Sequence, residues 1–212
     1  MLIDLQQITI PPGDSILLNK VTWSQYEQIL AELGEYRPTK VSYSKGLLEI
    51  MTPLFSHENA KVVIGDFVKI LLEELNLDYE PAGSTTFKNE KMQQGVEPDE
   101  SFYIANCQRI RGKERIDLTI DPPPDLAIEI DITNRTKFSN YLLLGVPELW
   151  RYDGKKLQIN VLVEGQYVES ALSNLFPNFD IKDKIPELLQ RSKEIGSAKI
   201  RKVFREWVKE QS

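Results

Sequence analysis

A chain of 212 residues with a formal net charge of −6, 41% hydrophobic residues and one cysteine has the composition of an ordinary soluble globular protein. No window approaches the roughly 18 apolar residues of a membrane span, and the first residues lack the basic region and cleavage site of a signal peptide. The lone Cys107 excludes an internal disulfide, so we expect a cytoplasmic protein in which this thiol is packed and inert.

The charge is distributed unevenly along the chain. The segment 191–212 contains seven Lys/Arg and three Glu, a balance of +4, so residues 1–190 carry −10. The net negative charge argues mildly against tight, charge-driven binding of nucleic acid. A cluster of catalytic acids would contribute to this deficit, and a bound divalent metal ion would offset part of it.

Start and stop signals divide the chain into predicted elements. Thr22 is a candidate N-cap for a helix that ends before Gly34, and Ser56 is a candidate N-cap for a longer one. We predict an N-terminal arm over residues 1–21, a main domain over 22–190 and a basic amphipathic helix over 191–212. The predicted elements are helices at 22–33, 56–76, 134–144, 184–195 and 198–209, and strands at 39–43, 47–51, 79–87, 96–104, 125–132, 146–152, 156–163 and 166–170.

This order of helices and strands predicts an α/β or α+β fold with a sheet of mixed direction. The last helix has one apolar face, formed by Ile200, Val203, Phe204, Trp207 and Val208. Docking of that face within the chain is the interpretation we prefer. A homodimer built on the same face is the alternative.

The segment Pro122–Asp153 is the most informative part of the chain. Its strand at 125–132 is apolar and β-branched, which is typical of a strand buried on both faces, yet it carries Glu129 and Asp131. The period of two places these acids on one face. Buried carboxylates need a partner, a proton or a metal ion. The alternative is two exposed acids on an edge strand.

Glu58 and Asp99 extend this set to four acids. Glu58 lies in the first turn of a predicted helix, where it could simply be a favourable helix-starting residue. Asp99 follows Pro98, where it could be an ordinary turn acid. Together the four acids indicate a divalent-metal site, because Mg²⁺ takes a few carboxylate oxygens together with waters and a substrate phosphate.

A basic partner for these acids is expected on the helix that follows the acidic strand. Lys137 is the candidate for orienting a water molecule and stabilising the transition state, and Tyr141 shares its helix face. Without the acids, Lys137 would be read as a solvated surface lysine. His57, the one histidine, is expected at the surface beside Glu58. Nucleotide-binding glycine motifs are missing, so we expect no organic cofactor.

Several motifs occur in an order that resembles a known family. They are Pro98-Asp99, the PDLAIEID strand, Lys137, Tyr141, the GVPELW segment and the MTPLFSHE segment before the second helix. This pattern resembles the Uma family of predicted bacterial restriction endonucleases, catalogued as a domain of unknown function within the PD-(D/E)XK nuclease superfamily. The resemblance covers roughly residues 20–180.

The resemblance implies a restriction-endonuclease-like core, with a central mixed sheet between helices. It makes Asp99 and Glu129 the metal ligands with the backbone carbonyl of Ile130, and Glu58 an additional acid. Where the superfamily motif has its lysine, this chain has Asp131. The family is thought to move that lysine to the following helix, where Lys137 stands, which leaves Asp131 as a supplementary ligand or a supporting group.

Two functions follow from these patterns. The first is a Mg²⁺-dependent endonuclease, with Mn²⁺ as a substitute ion, that hydrolyses DNA phosphodiester bonds with a metal-activated water. Its catalytic residues would be Glu58, Asp99, Glu129 and Lys137. The alternative is a catalytically degenerate nuclease fold that binds nucleic acid or protein. Asp131 at the lysine position and the net negative charge favour the alternative.

Overall fold

The computed structural model describes residues 7–34, 37–132 and 138–211. Six helices occur within these ranges: α1 Trp23–Leu33, α2 Phe55–Glu74, α3 Cys107–Ile110, α4 Phe138–Leu144, α5 Ile181–Ile195 and α6 Ser197–Gln211. The strands there are β1 Ser15–Leu18, β2 Lys40–Ser44, β3 Leu47–Met51, β4 Glu80–Pro81, β5 Phe87–Asn89, β6 Gln94–Val96, β7 Glu100–Tyr103, β8 Leu126–Ile130, β9 Glu148–Tyr152, β10 Leu157–Val163 and β11 Gln166–Ser170.

The strands form two sheets. One has five strands in the order β1-β3-β2-β6-β5, and the other has six in the order β11-β10-β9-β8-β7-β4. Every pairing is antiparallel except that of β8 with β9, which is parallel and makes the larger sheet mixed. The predicted fold, a mixed sheet flanked by helices, is confirmed. β1 shows that part of the predicted arm joins the smaller sheet as its edge strand.

Side-chain capping defines the start of α1 but not the start of α2. Thr22 and Gln25 form a capping box at the start of α1, and Gly34 ends that helix at φ 74°, as predicted. The prediction that Ser56 caps α2 is wrong, because the N-cap is Leu54 and has no side-chain cap bond. A Cβ added at Gly13 would lie 3.2 Å from the Leu54 side chain, so the N-terminal segment packs closely against this helix start.

The apolar face of α6 packs against α2 within the chain, as preferred from the sequence. Ile200, Phe204 and Val208 are fully buried, and the Phe204 ring stacks on Phe67 at 4.3 Å between centroids. At the rim, Arg201 Nη1 donates to Asp66 at 2.9 Å. Burying an apolar side chain of the size of Phe204 contributes about 2–3 kcal/mol to the free energy of unfolding. The face is therefore covered by the chain itself.

The two long strands predicted at 79–87 and 96–104 are each divided in the structure. The first is broken at Gly83, which has φ 56°, and the second at Pro98, which cannot donate to a strand ladder. Residues 97–99 consequently form a short link that carries the chain from β6 in the smaller sheet to β7 in the larger one. In the part of the chain that the structure describes, no helix combines the length and apolar character needed to span a bilayer.

Candidate active site

The link between the sheets carries two buried acids that serve opposite sheets. Glu97 accepts hydrogen bonds from the Val41 amide at 2.9 Å and the Thr86 hydroxyl at 2.6 Å, and pairs with Arg37. Asp99 faces the larger sheet: its amide donates to the Ile128 carbonyl at 3.0 Å. Its Oδ2 accepts from the Ile130 amide at 2.7 Å. The link thus holds β2 and β8 at a fixed separation.

Lys40, the first residue of β2, joins the acids of the larger sheet. Its Nζ donates to Asp99 Oδ1 at 2.6 Å and to Glu129 Oε2 at 3.0 Å. We call Asp99 and Glu129 the acid pair. The other oxygen of Glu129 accepts a hydrogen bond from the Tyr141 hydroxyl on α4. Asp99 is 0% exposed and Glu129 6%, whereas the Lys40 side chain retains 19% exposure.

Burial and the lysine set the charge states of this cluster. At Asp99, burial opposes ionisation, but Lys40 and His57 outweigh it and hold the pKa below its usual range. At Glu129, burial is dominant, and with the negative charge of Asp99 it raises the pKa to about 8 despite Lys40. Burial works against the charge of Lys40, yet the two carboxylates keep its pKa above the ordinary value. Burial, followed by the charge of Glu129, raises the pKa of Tyr141.

His57 links the acid pair to the start of α2. The prediction of a surface histidine is wrong, because the His57 side chain is 1% exposed and lies on the buried face of the first turn of α2. Its Nε2 lies 3.2 Å from Asp99 Oδ2 and its Nδ1 lies 3.4 Å from Glu58 Oε1. Glu58 itself is 41% exposed and accepts from Lys61 Nζ at 3.3 Å. The structure therefore places Glu58 next to the acid pair, with the imidazole between them.

Asp131 takes a separate partner on the neighbouring strand. Its Oδ2 accepts a bond from Arg151 Nε at 2.8 Å and a second from Nη2 of the same guanidinium. Arg151 lies on β9 opposite Glu129, and its guanidinium also sits over the Phe138 ring at 4.5 Å. Asp131, which directly follows β8, thus forms an ion pair with a residue of β9. Of the two roles expected for it, this arrangement matches the supporting group.

Sequence reasoning missed Lys40, and the lysine that it named, Lys137, lies outside the described residues. Lys40 begins a strand whose Val41 and Tyr43 are buried, so the alternation places it on the opposite face, where it reads as a surface lysine. Its partners lie 59 and 89 residues further along the chain. No local pattern carries that information.

A groove opens onto the exposed side of Lys40. Its volume is about 1220 Å³, and it runs between α1, the start of α2 and the loop after α3. The described lining includes six basic side chains: Arg37, Lys40, Lys61, Lys88, Lys113 and Arg115. Five acids also line it, namely Glu27, Glu58, Glu80, Glu97 and Glu114, so the described lining is mixed in charge.

The chemistry of the acid pair suits a divalent cation. Within residues 7–34, 37–132 and 138–211, no group of three or more His, Cys, Asp or Glu is arranged to hold a metal ion. Two carboxylates with a backbone carbonyl, waters and a phosphate nevertheless make a complete set of oxygen ligands for Mg²⁺. The ammonium group held between Asp99 and Glu129 shows that this position stabilises positive charge.

Comparisons with known proteins agree with this architecture. Residues 23–191 match the model of the Uma2 family, described as "Putative restriction endonuclease". The chain belongs to the Uma2 family. The Uma2 chain is also similar to a crystal structure of "a putative nuclease belonging to DUF820 from Anabaena variabilis ATCC 29413", with a TM-score of 0.58 and 15% identity over 80% of this chain and 99% of that chain. At that identity the likeness shows the fold. A search of curated proteins finds no match.

Proposed function

We propose that this Uma2 protein is a Mg²⁺-dependent endonuclease that hydrolyses phosphodiester bonds in DNA. The observation that carries the proposal is the acid pair, which is bonded to Lys40 of the smaller sheet, a residue that lines a groove. The description of the family, a restriction endonuclease, supports a nuclease. Buried carboxylates that share a cation beside an open groove are typical of catalytic rather than purely structural acids.

The residues of the site have distinct proposed roles. Asp99 and Glu129, with the Ile130 carbonyl, would hold the ion, which supplies an acidified water and neutralises charge on the phosphate. Tyr141 orients Glu129 through its hydroxyl, and the Ile130 amide orients Asp99. Glu58 is separated from Asp99 by the His57 ring and would bind a water molecule in the groove. Lys137 stays in the proposal as the lysine that the family resemblance implies.

The groove supports DNA as the substrate. Its lining includes six basic side chains, and some of them already form ion pairs, such as Lys88 with Glu27 at 2.6 Å. A phosphate chain offers the same kind of partner to these groups. Because contacts of this type are sequence-independent, the groove alone predicts binding without strong sequence preference, and binding that weakens as salt increases.

The direct test is cleavage of supercoiled plasmid and of single-stranded DNA by the purified protein. We expect cleavage with Mg²⁺ or Mn²⁺ and none in EDTA, and loss of cleavage in Asp99→Asn. Glu169→Gln is the control, because Glu169 is an acid of β11 whose partner is Lys182, far along the sheet from the acid pair. Equal activity of Asp99→Asn and the control would refute the proposal.

The alternative function is a nucleic-acid-binding module without turnover. The observation that favours it is Lys40, which already fills the position between the carboxylates. This alternative predicts DNA binding that persists in EDTA and no cleavage with any divalent ion. A filter-binding or anisotropy measurement on the same protein preparation separates the two functions.

A further inference from the structure

Two oxygens of the acid pair face groups other than Lys40. Asp99 Oδ2 accepts from the Ile130 amide and lies 3.2 Å from His57 Nε2, and Glu129 Oε1 accepts from the Tyr141 hydroxyl. The remaining oxygens, Asp99 Oδ1 and Glu129 Oε2, both accept from Lys40. A divalent ion shared by the two carboxylates would need these same two oxygens.

We propose that Lys40 is a built-in cation that a divalent ion must displace from the acid pair, so that this lysine sets the metal affinity of the site. The proposal rests on the proposed function only in taking Asp99 and Glu129 as the ligands of that ion. It assigns Lys40 a role in metal occupancy, which differs from the orientation of water expected of Lys137.

The surroundings of Lys40 allow such a displacement. Its backbone is fixed, because the next amide, that of Val41, is bonded to Glu97 at 2.9 Å and β2 pairs with β3 along its length. Its side chain is a flexible four-carbon stem that lines the groove. The ammonium can therefore leave the carboxylates and enter the groove without a change in the strand that carries it.

Charge balance indicates when the displacement is favourable. When both carboxylates are ionised, one ammonium leaves one net negative charge in a buried place, whereas a divalent ion neutralises the pair completely. The displaced ammonium then adds a positive charge to the groove, where a phosphate would lie. In the metal-free protein the same lysine prevents two adjacent buried carboxylates from being left without a counter-charge.

The first test compares metal affinities of variants by titration calorimetry with MnCl₂ and MgCl₂. Lys40→Met keeps the length of the side chain and removes its charge, and we expect its Kd for Mn²⁺ to be at least about tenfold lower than that of the unmodified protein. Lys88→Met is the matched control, since Lys88 also lines the groove and pairs with one carboxylate, Glu27. Its Kd should be unchanged. A Kd for Lys40→Met within threefold of the unmodified value overturns the proposal.

The second test uses the unmodified protein and so holds even if the variant does not fold. Reductive methylation followed by mass spectrometry should show slow labelling of Lys40 in EDTA and faster labelling in Mn²⁺, while Lys88 labels at one rate. Equal labelling of Lys40 in both conditions overturns the proposal.

The outcomes separate this proposal from the nuclease proposal. Tighter metal binding by Lys40→Met in a protein that never cuts DNA would sustain the role of Lys40 and refute the nuclease. Mg²⁺-dependent cleavage together with an unchanged metal affinity in Lys40→Met would sustain the nuclease and refute the role of Lys40. If neither the unmodified protein nor Lys40→Met binds Mn²⁺, both proposals are refuted.

Discussion

Two buried carboxylates lie on one face of the acidic strand, Asp125 just before β8 and Glu129 near its end. Asp125 accepts from the Ile104 amide at 2.7 Å, the Asn106 amide at 3.1 Å and the Asn106 side-chain amide at 2.9 Å. Glu129 accepts from the Tyr141 hydroxyl and from the Lys40 ammonium. Their exposures are nearly equal, 5% and 6%.

The difference lies in the partners and not in the depth of burial. The donors to Asp125 are neutral groups in one short segment, so this acid fixes the loop that leads into α3. Glu129 shares a flexible cation with a second acid, Asp99, at the wall of a groove. A buried acid satisfied by neutral local donors is structural, whereas one that shares a displaceable cation can exchange it for a metal ion.

The largest expected effect separates the two acids by activity. Glu129→Gln should lower the rate of DNA cleavage by about 10³-fold, because the loss of a metal ligand removes several kcal/mol of transition-state stabilisation. Asp125→Asn should change the rate per folded molecule by less than about threefold. Single-turnover cleavage on plasmid DNA with Mg²⁺ measures both. Similar losses in the two variants would remove the distinction drawn between these acids.

For stability, we expect the substitution at Asp125 to have a larger effect than the one at Glu129. Asp125→Ala should lower the free energy of unfolding by about 3 kcal/mol, since it leaves three donors in a half-buried loop without their acceptor. Glu129→Gln should change it by less than about 1 kcal/mol in EDTA, because glutamine still accepts from Tyr141 and no longer buries a charge. Urea unfolding followed by circular dichroism gives both values. A Glu129 variant that is the less stable of the two would contradict this ordering.

A third prediction concerns the superfamily pattern. Asp131→Lys restores a lysine at the motif position but places it against Arg151, which now bonds to Asp131. We expect a loss of about 1–3 kcal/mol of stability from the broken pair and the like charges, and no gain in cleavage rate. Asp131→Asn is the control for loss of the carboxylate alone. Higher activity in the lysine variant would show that position 131 is open to the site.

A fourth prediction concerns the dependence of metal-free stability on pH, which is a gradual change and not a difference between variants. Burial raises the pKa of Glu129 from 4.5 to about 8, so the folded state binds a proton that the unfolded state has released between these values. Stability in EDTA should therefore fall as pH rises through this window, by on the order of 1 kcal/mol per pH unit.

The other members of the cluster act outside that window. Asp99, with its pKa lowered, contributes stability that is lost only in acid, and Lys40, with its pKa raised, contributes stability that is lost only at alkaline pH. Glu129→Gln should flatten the slope between about pH 5 and 8, and Asp125→Asn should leave it in place. An unchanged slope in Glu129→Gln would assign the effect to another group.

Local patterns were sufficient for much of the fold. The N-cap at Thr22, the apolar face of α6 and the strands β10 and β11 are determined by neighbouring residues, and all three predictions are confirmed. The start of α2 was not predictable from Ser56, because this helix begins at Phe55 without a side-chain cap and its N-cap Leu54 packs against the distant Gly13. Pro98 divides a predicted strand because the chain changes sheets there.

The candidate site was predictable only in part. Asp99 and Glu129 carry local signals, a turn acid after proline and an acid in a buried strand, and the structure places them together. Lys40, His57 and Glu97 join them through contacts between distant segments, as in the bond from Val41 to Glu97, 56 residues apart. Their placement depends on how two sheets meet at one link, which no short stretch of sequence records.

A crystal structure with Mn²⁺ tests the central claim most directly, through anomalous scattering from the ion. We predict one peak within about 2.0–2.6 Å of Asp99 Oδ1 and Glu129 Oε2, with the Lys40 ammonium displaced into the groove and Asp125 unchanged. Lys40 still bridging the two carboxylates at saturating Mn²⁺, with no peak between them, would contradict it.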